Sequence, residues 1–380
     1  MDINNDLSTF RKIILSNVFS VIERFVMKNI YEQTKKLSGI IIILSILMVT
    51  AQSCEESSIN DKPNDTSYLQ VPEDFPPPPF PDDNPYSDAK FELGRMLYYD
   101  QLLTANQEMK SCSHCLKQEH AFSDNVAQSR NFMFEPEDRT TMTLANVVYR
   151  DKLFWDGRGY RIEQPAYRSM FLLPIFASDT NDIADRLQNH AIYPDMFKKA
   201  FGNDVEPGAW LASQAISTFV RCFISGNSAY DKYIRGDKSA MNESAIRGMD
   251  IFFSERARCS VCHSGFMFTD LDFHNTGVNT HYFDFGRFYI TNRDEDFGRF
   301  LTPSLRNVEV TSPYTHDGEL YTLEEVIHNY DLGGNYFYNK DTLMRPLNLT
   351  KQESADLIEF LKSLTDHEFL NDERFKDPHK

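Results

Sequence analysis

Two short stretches of this chain hold residues whose types and spacing point to chemistry. Arg258 to Gly265 reads "RCSVCHSG" and contains Cys259-x-x-Cys262-His263. Two thiols three residues apart, followed at once by an imidazole, form the pattern that attaches a c-type haem: the thiols become thioethers and the histidine binds iron. Ser111 to Asp124 reads "SCSHCLKQEHAFSD" and repeats the pair as Cys112 and Cys115, with Leu116 where the histidine should stand. Leucine offers iron no lone pair. His114 lies between the cysteines and should point away from the iron, while His120, one helical turn beyond Leu116, about 6 Å of rise, is a ligand only where haem or helix shifts by that turn and otherwise a surface or packing residue. The spacing predicts one complete haem site and one degenerate site.

The chain has six cysteines. A four-cysteine zinc site wants its two pairs some 15 to 20 residues apart, roughly; here most of a domain separates them, which excludes zinc. Cys222, in the apolar "TFVRCFISG", reads as a buried small residue. Cys54 follows "LSGIIIILSILMVTA", an apolar run preceded by Lys35 and Lys36. That run has the length of a secretory h-region and is short for a membrane span. It resembles a lipoprotein signal with Cys54 as the lipidated residue, although Ala51 is a poor match to the usual leucine; a simple secretory signal or an uncleaved anchor is the alternative. Either way the chain is exported.

The elements that must position these motifs follow from composition and periodicity. The chain has 380 residues, of which 41% are hydrophobic, enough for two cores. With 39 basic and 56 acidic residues its net charge is -17, which disfavours nucleic acid as a partner. Residues 1–53 read as an N-terminal extension and signal, and 54–87, rich in Pro and Asp, as an extended tether. "DAKFELGRMLYYDQLL" and "ESAIRGMDIFF" show helical apolar spacing, each upstream of a cysteine pair. Short extended pieces are expected near "FMFTDLDFHNTG". Thr143 to Glu163 and Ser304 to Glu324 align without a gap with seven identities in 21 positions, among them Asn146/Asn307 and Gly157/Gly318. Such a repeat implies two copies of one unit. The expected fold is mainly α, two tandem cytochrome c-like haem domains with long loops, at 88–238 and 239–372.

The motifs "LGRMLYYDQLLT", "LFWDGR", "SGNSAYDKYIRGD", "CSVCHSGFMFTD", "FHNTG" and "LTPSLRNVEVTSPYTHDGELYTLEEVIHNYDLGG" occur in one order. In this the chain, from about Asp88 to Asp366, resembles the bacterial di-haem cytochrome c peroxidases, a group that includes the maturation enzyme of methylamine dehydrogenase. The resemblance implies an oxidoreductase that reduces hydrogen peroxide with electrons from a small cytochrome c or another periplasmic donor. It implies two haem c groups, of which the motifs predict one here. Electrons would enter at the C-terminal haem, held by Cys259, Cys262 and His263, with Tyr330 in the position of the sixth ligand. Tyr330 can also pack on the cofactor without bonding it, and His328 and Met344 are alternatives. Cys112 and Cys115 would hold the N-terminal haem.

The same resemblance places Trp155 between the haems as an electron relay, a position where a tryptophan can also serve as core. It gives Gln164 a distal role, although an ungapped register puts Pro165 there. Asn146, Thr311 and Pro313 match a calcium site of oxygen donors; Asn146 alone would read as a turn residue. From Gln164 through Asp185 there is no glutamate, so the family's proton-delivering carboxyl is missing. Asp179 and Asp182 are the nearest acids and read as solvated. The resemblance makes a di-haem peroxidase-like enzyme the expected function, and the alternative is a single-haem electron-transfer or redox-binding lipoprotein without turnover because Leu116 replaces the ligand. Both place the chain in the bacterial cell envelope, on the periplasmic side or surface, anchored to the membrane through Cys54, and both admit a homodimer.

Overall fold

The computed structural model describes residues 67–105, 111–128, 138–171 and 178–380. The expected signal and Cys54 lie outside the described residues. Twelve α-helices are described: α1 (Asp88–Tyr99), α2 (Glu163–Phe171), α3 (Thr180–Gln188), α4 (Tyr193–Phe201), α5 (Ala209–Arg221), α6 (Ala229–Ile234), α7 (Glu243–Phe252), α8 (Cys259–Cys262), α9 (Phe288–Thr291), α10 (Leu323–Leu332), α11 (Lys351–Lys362) and α12 (His367–Asn371). A two-stranded antiparallel ribbon pairs β1 (Phe273–His274) with β2 (Phe300–Leu301), Phe273 opposite Leu301. The fold is mainly α, and none of the described helices is long and apolar enough to cross a membrane.

One construction appears twice. Helix α1 begins at Ser87, whose hydroxyl accepts the Lys90 amide and satisfies one of the unpaired donors of the first turn. It packs on α5 at Gly94, where a Cβ would stand 2.0 Å from the Ala215 carbonyl oxygen. Helix α7, capped by Asn242, packs on α11 at Gly248, where a Cβ would stand 1.9 Å from the Asp356 carbonyl oxygen. Only glycine allows backbones this close. The aligned segments repeat too: Asn146 and Asn307 have φ 58° and 61°, and each opens a short turn. The single bridges Leu153–Gly159 and Tyr314–Leu320 follow at matching places.

Each helix pair has an aromatic core. The first gathers Phe91, Tyr98, Phe122, Phe219 and Phe223, with Phe122 stacked on Phe223 at 3.6 Å between centroids. The second gathers Phe252, Phe268 and Phe360 around the leucines of α11. Two boundaries differ from expectation. The C-terminal tail does not stay with residues 239–372: Phe369 and Phe375 enter the first core, and Arg95 Nε donates to the Lys376 carbonyl at 2.8 Å. The described part of the expected tether, 67–87, is packed rather than free. Tyr68 stacks on Phe91 at 4.3 Å, Phe75 is buried, and Asn84 is fully buried. Its few apolar residues each find a core, and Asn84 Nδ2 donates to Glu163 and to the Gln214 carbonyl at 3.0 and 2.9 Å.

Candidate haem-binding site

The second half holds a large, mostly apolar cavity whose wall includes Cys259, Cys262, His263 and Tyr330. Arg258, with φ 56°, turns the chain into α8. The His263 amide then donates to the Cys259 carbonyl at 2.9 Å, so both thiols and the imidazole issue from one helical turn. Neither thiol is in a disulfide, and burial pushes the Cys259 thiol up to about 12. His263 Nδ1 lies 3.1 Å from the Phe268 carbonyl. A proton held there leaves Nε2 as the lone-pair donor, the arrangement metal-binding imidazoles need. Burial lowers the His263 pKa further, which favours the neutral, ligating form.

Tyr330, in the last turn of α10, lies on the same cavity wall, and burial raises its phenol well above the ordinary value. Without a metal it is a neutral phenol. Met344 also lines this cavity. His328 does not; it lies in a separate cleft with Glu324 and Lys351. Trp155 reaches the cavity from the first half, its Nε1 donating to the Thr140 carbonyl at 3.0 Å. Its own carbonyl accepts from Leu301 at 2.8 Å. The loop that carries it is fastened by Asp156, which accepts from Arg139 at 2.7 Å and Arg158 at 2.9 Å, and by Gly157 at φ 68°.

The degenerate half keeps the backbone and loses the chemistry. The Leu116 amide donates to the Cys112 carbonyl at 3.2 Å, the bond that His263 makes to Cys259. The Leu116 side chain packs against the first core, and its carbonyl accepts from the Tyr98 hydroxyl at 2.6 Å. His114 is exposed. His120 stands on a short turn, Gln118–His120, closed by Ala121 at φ 51°. Burial pushes the Cys112 thiol up to about 12, and Cys112 and Cys115 line neither described cavity.

Gln164 is exposed on α2. The acid beside it, Glu163, is fully buried but committed. Burial alone would raise its carboxyl, yet two bonds from Arg221 at 2.6 and 2.9 Å and one from Asn84 hold it down to about 2. Asp179 caps α3 by accepting the Asn181 amide at 2.8 Å, and both Asp179 and Asp182 are exposed. Residues 172–177 of the stretch from Gln164 through Asp185 lie outside the described residues.

The three residues of the expected oxygen-donor site do not all line the large cavity. Thr311 and Pro313 line the large cavity, but Asn146 does not. Its fully buried amide is spent on Ser225, Nδ2 donating to the carbonyl at 2.8 Å and Oδ1 accepting from the amide at 3.0 Å. Thr140 also lines that wall. Unread from sequence is His274, clamped between Asp341 at 2.6 Å on Nδ1 and Asp270 at 2.9 Å on Nε2. Contact with the Cys262 thiol and with these carboxylates outweighs burial and raises its pKa to about 10. Cys262, Asp270 and His274 stand within 4.8 Å of one another. They do not make a separate metal site, since both His274 nitrogens are taken and Cys262 belongs to the haem motif.

A cavity lined by two thiols, an imidazole and a phenol suits a covalently held haem c. The fold and site are those of a c-type cytochrome built as a tandem repeat. Residues 88–239 match the family model described as di-haem cytochrome c peroxidase. The cytochrome-c peroxidase IdrP1 of Pseudomonas sp. (strain SCT) is 32% identical over 323 residues, covering 77% of this chain and 84% of the relative. The methylamine utilization protein MauG of Methylorubrum extorquens is 32% identical over 293 residues, covering 75% and 81%. A crystal structure of a MauG-like protein associated with microbial copper homeostasis superposes with TM-score 0.77 at 34% identity, covering 82% of this chain and 99% of that one. This chain belongs to the di-haem cytochrome c peroxidase family, whose members include haem enzymes.

Proposed function

We propose that this chain is a cell-envelope electron-transfer member of that family, in which Cys259, Cys262 and His263 would hold one haem c and Tyr330 would be a further residue toward it. The observation that carries the reading is Leu116: a side chain without a lone pair occupies the backbone position that His263 occupies in the intact half. Bound haem supplies one-electron redox chemistry. The chain sets the imidazole tautomer through Phe268, keeps water from the cofactor with the leucines of α11, and offers Trp155 as a path toward the first half. A small cytochrome c or similar carrier is the expected electron partner, and a lipid anchor at Cys54 the expected tether.

Peroxide reduction is the second reading, favoured by the 32% identity to a cytochrome-c peroxidase. The two separate in one experiment. The protein is produced with haem-maturation machinery, its covalent haem is counted by haemochrome, and peroxide reduction is followed with a reduced small cytochrome. One haem per chain without turnover supports electron transfer. Two haems, or turnover in the range of about 1 to 10³ per second, establishes the peroxidase.

A further inference from the structure

Arg150 follows the turn Val147–Tyr149 and stands on the wall of the cavity that Cys259, Cys262, His263 and Tyr330 share. Its described side-chain hydrogen bond is long, from Nη2 to the Ala145 carbonyl at 3.4 Å. No carboxylate among the described residues pairs with it. The acid next to it in sequence, Asp151, contacts Lys152 at 3.3 Å. Other enclosed arginines are answered by acids: Arg221 by Glu163, Arg306 by Asp231, Arg139 by Asp156 and Asp284. Arg150 is half-buried and has no such acid, and burial lowers its pKa to about 10.

An arginine keeps its proton even when buried, so an enclosed guanidinium without a counter-ion is a costly arrangement. A planar fork of N–H donors fits a carboxylate, and bidentate pairing with one is its strongest use. Haem brings two propionate carboxylates to such a cavity. Arg258 also lines the wall and has a buried Nε without a partner. It adjoins Cys259, however, at the thioether edge of the cofactor, and its Nη2 is 3.3 Å from Glu255. Arg150 comes from the first half of the chain and has no such acid.

We propose that Arg150 is the counter-charge for a propionate carboxylate of the haem bound through Cys259, Cys262 and His263, an assignment that rests on the single-haem reading above. The second half would then hold the cofactor covalently while the first half neutralises it, which ties haem loading to the correct closure of both halves. A positive charge at this place also disfavours the oxidised, more positive iron.

The test uses the haem-loaded chain and two variants, Arg150→Gln and Arg150→Lys, with haem content and midpoint potential as readouts. Arg150→Gln is expected to lower the reduced-to-oxidised ratio about tenfold at a fixed potential, a shift of ~59 mV toward negative values, and Arg150→Lys to recover most of it. A purely structural role would not be rescued by charge alone. If Arg150→Gln does not load haem, recovery of loading by Arg150→Lys supports the assignment, and no recovery overturns it. One haem per chain with the same potential in all three proteins overturns it and leaves the haem reading intact. No haem in the unmodified chain overturns that reading, and this assignment with it.

Discussion

Leu116 and His263 hold equivalent positions in two copies of one turn. Each amide donates to the carbonyl of the first cysteine of its pair, at 3.2 and 2.9 Å. The imidazole faces a cavity, while the leucine joins a core. The two turns share this backbone bond and differ in the side chain that follows the second cysteine.

Leu116→His should therefore raise covalent haem from one to two per chain. It should not bring full peroxide turnover with it, because Glu163 is locked to Arg221 and Gln164 faces outward; a missing proton-delivering group costs about 10² to 10⁴ in rate. Haemochrome quantitation before and after the substitution checks the first half, and steady-state peroxide reduction the second. Two haems in the unmodified protein would refute the reading of Leu116.

Tyr330→Phe keeps the aromatic packing of the α10 terminus and removes the oxygen. Axial ligand identity is a main control of haem spectrum and potential, so both should change while haem content stays at one. An unchanged spectrum would reduce Tyr330 to packing and pass the role to Met344, which lines the same cavity.

The parts legible in the sequence were those whose partners are close in the chain. Cys259, Cys262 and His263 announce a haem because all three donors issue from one turn. The amphipathic helices α1 and α7 show in their apolar spacing, and the ribbon near Phe273 in its β-rich run. His274 was not legible, since its clamp joins Asp270 to Asp341, 67 residues apart from the histidine. Asn146 was half legible: the turn it opens at φ 58° could be read from its residue type, but its bond to the distant Ser225 backbone could not. The tether misled because composition counts apolar residues and misses a buried polar anchor such as Asn84.

Gly94→Ala and Gly248→Ala test the repeat as a matter of packing. Each added methyl meets a carbonyl oxygen of the partner helix at 2.0 or 1.9 Å, and backbone must move apart. Each should destabilise by about 1 to 3 kcal/mol, the ordinary range of overpacking, with haem content unchanged under folding conditions. Chemical denaturation of each variant measures this. If one site tolerates alanine freely, the two helix pairs are not equivalent.

Glu163→Gln tests the buried acid next to Gln164 in the sequence. Burial raises the Glu163 carboxyl, but Arg221 and Asn84 prevail and hold it near 2 against an ordinary value of 4.5. A depressed folded pKa means stability that is fully present above the unfolded value and lost as pH falls through the folded one. The window here runs from about 4.5 down to about 2. At neutral pH the substitution leaves the Arg221 guanidinium buried and unpaired, which costs about 3 to 5 kcal/mol. As pH falls through that window the unmodified carboxyl takes up a proton and comes to resemble the glutamine, so the two proteins should converge in stability. Urea unfolding of both across pH 7 to about 3 reads the difference directly. A gap that stays constant with pH would show that Glu163 is not held ionised by Arg221, and would free it as a candidate for the proton-delivering acid this chain otherwise lacks.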